Sequence, residues 1–209
     1  MTGSTVFWYA SRATGVVALL LLTTVLVLGL LVTGQGRLPG LPRFAVTGLH
    51  RNLSLLAVAF IAVHVLTAVL DTYVSIPVLA AVVPFASGYE RFWLGLGATA
   101  FDLVLALIVT SLIRRRLSRS LWRTVHLLAY VSWPFALAHG LGASQDLRHG
   151  RLLSLAAGGV LAVLAALTWR LVKAAREVPR AARVADVLAR YSGRGTERAH
   201  RETQRRAVR

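Results

Sequence analysis

Five apolar runs approach the roughly 20 residues that an α-helix needs to cross a bilayer core of about 30 Å, and nothing else in this chain constrains its fold as tightly. In hydrocarbon every backbone N–H and C=O must find its partner inside the protein, so runs of this length fold as helices or not at all. The expected class is therefore all-α: an integral membrane helical bundle of five transmembrane helices. The spans cover about 14–32, 50–70, 92–113, 121–141 and 152–172, within a membrane domain of residues 1–175. The stretch 76–86 is apolar but too short to cross, and Pro77 and Pro84 oppose a continuous helix there. It reads as a re-entrant or interfacial segment, or as an ordinary connecting loop.

The positive charges orient these spans. With five crossings, one side carries Arg37, Arg43, Arg51, Arg114, Arg115, Arg116, Arg119, Arg123 and every basic residue from Arg170 onward. The other side carries only Arg12, Arg91, Arg148 and Arg151. This predicts an inner or plasma membrane protein with its N-terminus outside and its C-terminus cytoplasmic. The first run lacks a basic segment before it, and Arg12 follows the aromatic triplet Phe7-Trp8-Tyr9, so it is expected to be a retained helix rather than a cleaved signal. Residues 176–209 form a basic cytoplasmic tail. In it Val184, Val187, Leu188 and Tyr191 follow helical spacing, suited to an anionic lipid surface or a docking donor, before a charged end expected to be disordered. The net charge of +16 is concentrated at one membrane face and in the tail, so no nucleic-acid partner is expected. The absence of cysteine excludes disulfides, iron–sulfur clusters, thiolate-ligated haem and CxxCH-type attachment.

Against this background four histidines stand out, because ionisable groups at membrane depth are costly and mark functional sites. His50 and His64 are 14 residues apart on the second span, and His126 and His139 are 13 apart on the fourth. The charge bias makes those spans parallel, so His50 faces His126 and His64 faces His139, on levels about 20 Å apart. Opposed imidazoles supply two ligands per level, too few for a bare ion but the number that a low-spin b-type haem takes. Two stacked haems b are the expected cofactors. A histidine that hydrogen-bonds to a neighbouring helix is the plainer alternative for each site.

Helical phase supports one pair better than the other. Fourteen residues leave His50 and His64 about 40° apart on one face, whereas 13 leave His126 and His139 about 140° apart. A distortion near 130–135, made by Pro134 as a kink or π-bulge, is the expected remedy. Gly95, Gly97, Ala98 and Ala100, with Gly158 and Gly159, leave room for a large cofactor or for close helix approach. Arg51 and Arg123 beside the inner ligands, and Arg12 outside, suit haem propionates, with simple topological bias as the alternative for the first two. Asp102, inside the third span, is expected to orient a ligand imidazole, to serve a proton or quinone site, or to hydrogen-bond to a neighbouring helix. Asp71 reads as a helix-end residue. His149 and His200 lack depth-matched partners and fall outside the scheme. Trp8, Trp93, Trp122 and Trp169 sit near span ends as an aromatic belt, while Trp133 lies deeper in a packing position.

The stretches Leu49-His50-Arg51, Ala62-Val63-His64, Thr124-Val125-His126-Leu127-Leu128-Ala129-Tyr130 and Ala138-His139-Gly140 resemble the ferric reductase-like transmembrane domain family. Val83-Pro84-Phe85-Ala86-Ser87-Gly88-Tyr89 resembles its bacterial members, and the likeness covers about residues 8–172. The family includes the membrane portions of NADPH oxidases and ferric reductases, and the haem subunit of the bacterial methionine sulfoxide reductase system. The resemblance implies a transmembrane electron-transfer cytochrome b with two bis-histidine haems, a membrane subunit of an oxidoreductase. About 37 residues follow the fifth span, without a GxGxxG motif, so no flavin or NADPH domain is expected here. The expected donor is a separate flavoprotein carrying FMN or FAD, or membrane quinol. The outer acceptor is left open among ferric chelates, oxygen, a periplasmic flavoprotein and a sulfoxide reductase. The alternative function is a haem-binding membrane anchor or sensor without sustained turnover.

Overall fold

The computed structural model describes residues 3–33, 42–72, 74 and 76–176. The expectations for the tail, including its amphipathic stretch, its disordered end and His200, and for most of the connector after the first span lie outside these residues. Every regular element among them is helical. They are α1 (Gly3–Thr33), α2 (Arg43–Leu70), the one-turn α3 (Leu79–Val82), α4 (Arg91–Leu112), α5 (Arg119–His126), α6 (Ala129–Ala143) and α7 (Gly150–Arg176). Single 3₁₀ turns at Arg114–Arg116 and Asp146–Arg148 join α4 to α5 and α6 to α7.

Four of the helices, over Thr5–Thr33, Phe44–Leu70, Arg91–Leu112 and Gly150–Arg176, are long and apolar enough to cross a membrane. Their exteriors are apolar as well. Leu66 on α2, Leu112 on α4 and Leu161 on α7 are well exposed, which is tolerable only where the surroundings are lipid. α1 starts earlier than its apolar core suggests, because Phe7, Trp8 and Tyr9 extend the helix rather than precede it.

The expected span 121–141 is not one helix of that length. It is divided into α5 and α6, joined through Leu127 and Leu128. Those two residues have φ/ψ of −67°/−19° and −61°/−20°, the values of a 3₁₀ turn. Backbone bonds confirm the tightening: Leu128 donates to Val125, Tyr130 to Leu127 and Val131 to Leu128, each three residues back. The distortion therefore lies at 127–131, overlapping the expected 130–135 and beginning a few residues before it, while α6 runs through Pro134 without a break. The physical reason is that a proline ring crowds the carbonyl four residues earlier, here Tyr130, so its influence falls on the preceding turn. At 3.0 instead of 3.6 residues per turn, each tightened residue adds about 20°, and some five of them add roughly 100°. That turns the 140° misphase of His126 and His139 into an offset of about 40°, the same as that of His50 and His64.

α1 lies along α2, α4 along α6, and α1 also contacts α6. Leu26 of α1, Trp133 of α6 and Val163 of α7 form a buried cluster, and the Trp133 indole N–H donates to Thr23 Oγ1 at 2.8 Å. Trp133 is thus a packing residue. The segment 76–86 does not span; it carries α3, which packs on α4. Phe85 adopts a left-handed φ of 63° and puts its ring over Gly95, where any Cβ would enter the ring. The chain divides into a compact unit of residues 1–166 and a second from residue 167, whose described part continues α7 as a helix to Arg176.

Candidate functional site

The site is built on α1, α2, α4, α5 and α6 around the histidines. His64 of α2 and His139 of α6 face each other edge-on, with ring centroids 6.1 Å apart at an interplanar angle of 66°. Both line a cavity of about 290 Å³, whose walls include Trp8, Ser11, Arg12, Gly15, Phe101 and Ser144. That is near the lower end of the ~300–1,000 Å³ of ordinary ligand pockets.

Backbone carbonyls hold the two rings. His64 Nδ1 lies 2.8 Å from the Ser11 carbonyl, and His139 Nδ1 lies 2.9 Å from the Trp93 carbonyl. A carbonyl only accepts, so Nδ1 carries the proton in each ring and donates. Nε2 is then the unprotonated nitrogen with a lone pair, the tautomer that a metal requires. Two metal–imidazole bonds of about 2 Å, plus the half-ring beyond each nitrogen, give a centroid separation of roughly 6 Å, which is the spacing present. The ring spacing is compatible with one metal ion held between two imidazoles, and both rings also line the cavity.

The other pair is less symmetric. His50 Nδ1 is 3.1 Å from the Val25 carbonyl, again a donor to backbone. His126 lies within Coulombic reach of His50 and stacks on Trp122, with centroids 4.8 Å apart and planes inclined by 22°. Among the described residues no three His, Asp or Glu side chains converge on one point.

Arg12 lines the cavity and has a protein partner. Its Nε donates to Asp146 at 2.8 Å and its Nη2 to Ser144 Oγ at 3.1 Å, with the guanidinium 4.3 Å above the Trp8 ring. The pair ties α1 to the turn after α6, whose Leu147 and Ser144 close the cavity. Because the Asp146 side chain is 54% exposed, the ion pair contributes no more than about 1 kcal/mol. Arg12→Ala and Asp146→Asn should each lower the thermal midpoint by a few degrees, and the double variant by little more than either. Full additivity in that cycle, followed by tryptophan fluorescence, would show that the two side chains are not coupled.

Arg51 and Arg123 are exposed beside His50 and His126. Asp102 does not orient a ligand imidazole at any of the three bonded histidines. The carbonyls of Ser11, Val25 and Trp93 occupy those Nδ1 positions, and Asp102 lies outside the cavity lining. Backbone acceptors win because they are already fixed by their helices, whereas a buried carboxylate must first be desolvated. Asp71 is more than a helix end: it is buried and lines the cavity beside Ala68. His149 is exposed and bonds the Gln145 carbonyl within its own turn. Ser11, Gly15, Gly29 and Trp93 were not legible as site residues. The 14-residue interval between Gly15 and Gly29, equal to that of His50 and His64, was the available signal.

The family described as "Ferric reductase like transmembrane component" matches residues 14–137. The match runs from α1 into α6 and includes His50, His64 and His126, ending two residues before His139. No curated protein and no solved structure is significantly similar to the chain.

Proposed function

The chain belongs to the ferric reductase-like transmembrane component family, and from that premise we propose that it is a multi-pass electron conduit carrying two b-type haems. The observation that carries this reading is the His64/His139 pair, with both Nδ1 atoms spent on carbonyls and a cavity that both rings line. A haem held by two imidazoles supplies a carrier that exchanges one electron without gaining or losing a ligand. The residues do the rest. The carbonyls of Ser11, Val25 and Trp93 fix the tautomer and rotation of their imidazoles, and the apolar α1 and α4 side chains that line the cavity would keep water from a group bound there.

α5 and α6, of eight and fifteen residues joined by a helical turn, make a fifth crossing of roughly 37 Å. An odd number of crossings places the termini on opposite faces, and the arginine bias puts the C-terminus and the His50/His126 level toward the cytoplasm. Arg114, Arg115, Arg116, Arg119 and Arg123 would then meet an anionic donor, a flavoprotein or the quinol-bearing membrane face. The His64/His139 level would serve an acceptor outside, in the plasma or inner membrane.

The test is vectorial. Vesicles reconstituted with haem-loaded protein and filled with ferricyanide should bleach when quinol or reduced flavin is supplied outside, and empty vesicles should not. Haem present without trapped-acceptor reduction would favour the anchor or sensor reading. Purified protein without the α-bands of low-spin b haem after dithionite reduction would sink both.

A further inference from the structure

Three of the four histidines sit in the same kind of seat. Opposite His64 stands Gly15, opposite His50 stands Gly29, and opposite His139 stands Gly97. The carbonyl that accepts from Nδ1 belongs each time to the residue four before that glycine: Ser11, Val25 and Trp93. The first two seats lie on α1 and receive the histidines of α2, and the third lies on α4 and receives that of α6. Gly15 and Gly29 are 14 residues apart, as are the histidines they meet, so one pair of helices carries two seats in register.

A helical carbonyl already accepts from the N–H four residues on, which leaves one lone pair for a second donor. In these same helices a side chain at that fourth residue can claim it. The Thr14, Thr23 and Thr99 hydroxyls donate to the carbonyls of Ala10, Leu19 and Gly95 at 2.6, 2.8 and 2.8 Å. Gly15, Gly29 and Gly97 put no side chain there, and an imidazole from the neighbouring helix takes the lone pair instead. A Cβ would meet that ring: at Gly15 it would lie 2.9 Å from His64 Nδ1, and at Gly97 2.7 Å from His139 Nδ1. At Gly29 the nearest ring atom, His50 Cε1, would be 3.4 Å away. The two tight seats hold bonds of 2.8 and 2.9 Å, and the looser one a bond of 3.1 Å.

We infer that Gly15, Gly29 and Gly97 are positioning residues, each keeping a backbone carbonyl open to the Nδ1–H of a ligand imidazole. The inference rests on the two-haem reading above. Small residues between membrane helices ordinarily allow close approach and no more. That account leaves unexplained why three glycines each face a histidine, with the same four-residue register to the accepting carbonyl. An imidazole anchored through its second nitrogen is fixed in tautomer and orientation and is more basic, and loss of such a partner costs about 10–100-fold in metal affinity. A less basic ligand stabilises ferric iron less, so the midpoint potential rises. α1 and α4, which supply none of the four histidines, thereby set the strength of three of them.

The experiment uses the full chain in detergent, loaded with haem, and follows haem transfer to excess apomyoglobin, low-spin ferric EPR and an optical redox titration. His64→Ala identifies which signals belong to the His50/His126 level. Gly15→Ala and Gly97→Ala should each release the His64/His139 haem at least about tenfold faster than wild type, raise its midpoint potential and shift its g-values. The other haem should keep its signals. Gly29→Ala should act on the His50/His126 haem alone, and less strongly. Gly29→Ser should act there more strongly than alanine, because its hydroxyl can donate to the Val25 carbonyl as the threonines do to theirs. Gly158→Ala, with nothing within 4 Å of its Cβ, should match wild type in all these measurements. Equal changes at both levels in Gly15→Ala or Gly97→Ala, or release within about twofold of wild type with unchanged g-values, would reduce the glycines to packing and overturn the inference. If those two variants do not fold, Gly29→Ser decides: unchanged g-values and potential at the His50/His126 level overturn it. A wild-type chain that binds no haem would instead remove the reading on which it stands.

Discussion

His139→Ala is expected to lose the haem of the His64/His139 level outright and to keep the other, halving the haem per chain. His64→Ala should do the same. Each imidazole is already locked through Nδ1 to a carbonyl, so neither can swing to compensate for a missing partner. The 6.1 Å between ring centroids leaves no second donor nitrogen on the path between them. The vacated side would be the cavity wall of Gly97, Ala98 and Ala136, none of which ligates iron. Because ligand that binds only the folded chain stabilises it, loss of a haem bound at a thousand times its dissociation constant removes about 4 kcal/mol of apparent stability. Pyridine haemochrome quantification gives the stoichiometry, and the dithionite-reduced α-band gives the site. A wild-type ratio in either variant would remove these two residues from the ligand set.

Gly142→Ala should be the most damaging small substitution in the bundle. Its Cβ would fall inside the indole of Trp93, a rigid ring in the first turn of α4. The same Trp93 offers the carbonyl that seats His139, one turn before Gly142 on α6. Overpacking of this kind costs about 1–3 kcal/mol where neighbours can shift. Here the shift is transmitted to a ligand, so haem retention at that level should fall as well. Gly158→Ala is the control, because nothing lies within 4 Å of its Cβ and alanine favours the helix by about 0.5–1 kcal/mol. Thermal unfolding in detergent should separate the two by several degrees. Equal midpoints, with equal haem retention, would mean that the Trp93 contact is not a constraint in solution.

The helices were legible because lipid leaves the backbone no alternative, so apolar run length alone nearly determines α2, α4 and α7. The histidines were legible because their residue type is costly at that depth. Less was visible where the determinant is not a side chain. The partners of His50, His64 and His139 are carbonyls, which every residue possesses and no sequence advertises. Their glycines carry a signal only when read against a histidine interval on another helix. Gly97 reads from the sequence as space, whereas Gly15 and Gly29 carry no mark of their own. The rewinding of the fourth span follows from arithmetic and Pro134 points to its region, but the sequence does not show that it begins at Leu127 and Leu128. Proline acts on the turn before it, so the residues that tighten carry no mark of their own.

That turn has a consequence for how the two halves of the bundle tolerate change in chain length. α2 aligns its histidines by count, and α5 with α6 aligns the other two by pitch, so the missing residue and the tight turn are two sides of one compensation. A single residue inserted after Leu128 would lengthen the interval to that of α2 and remove the need to overwind. Between His50 and His64 the same insertion would have nothing to relax. An insertion in a buried helix is ordinarily ruinous; in this one stretch it would be a repair.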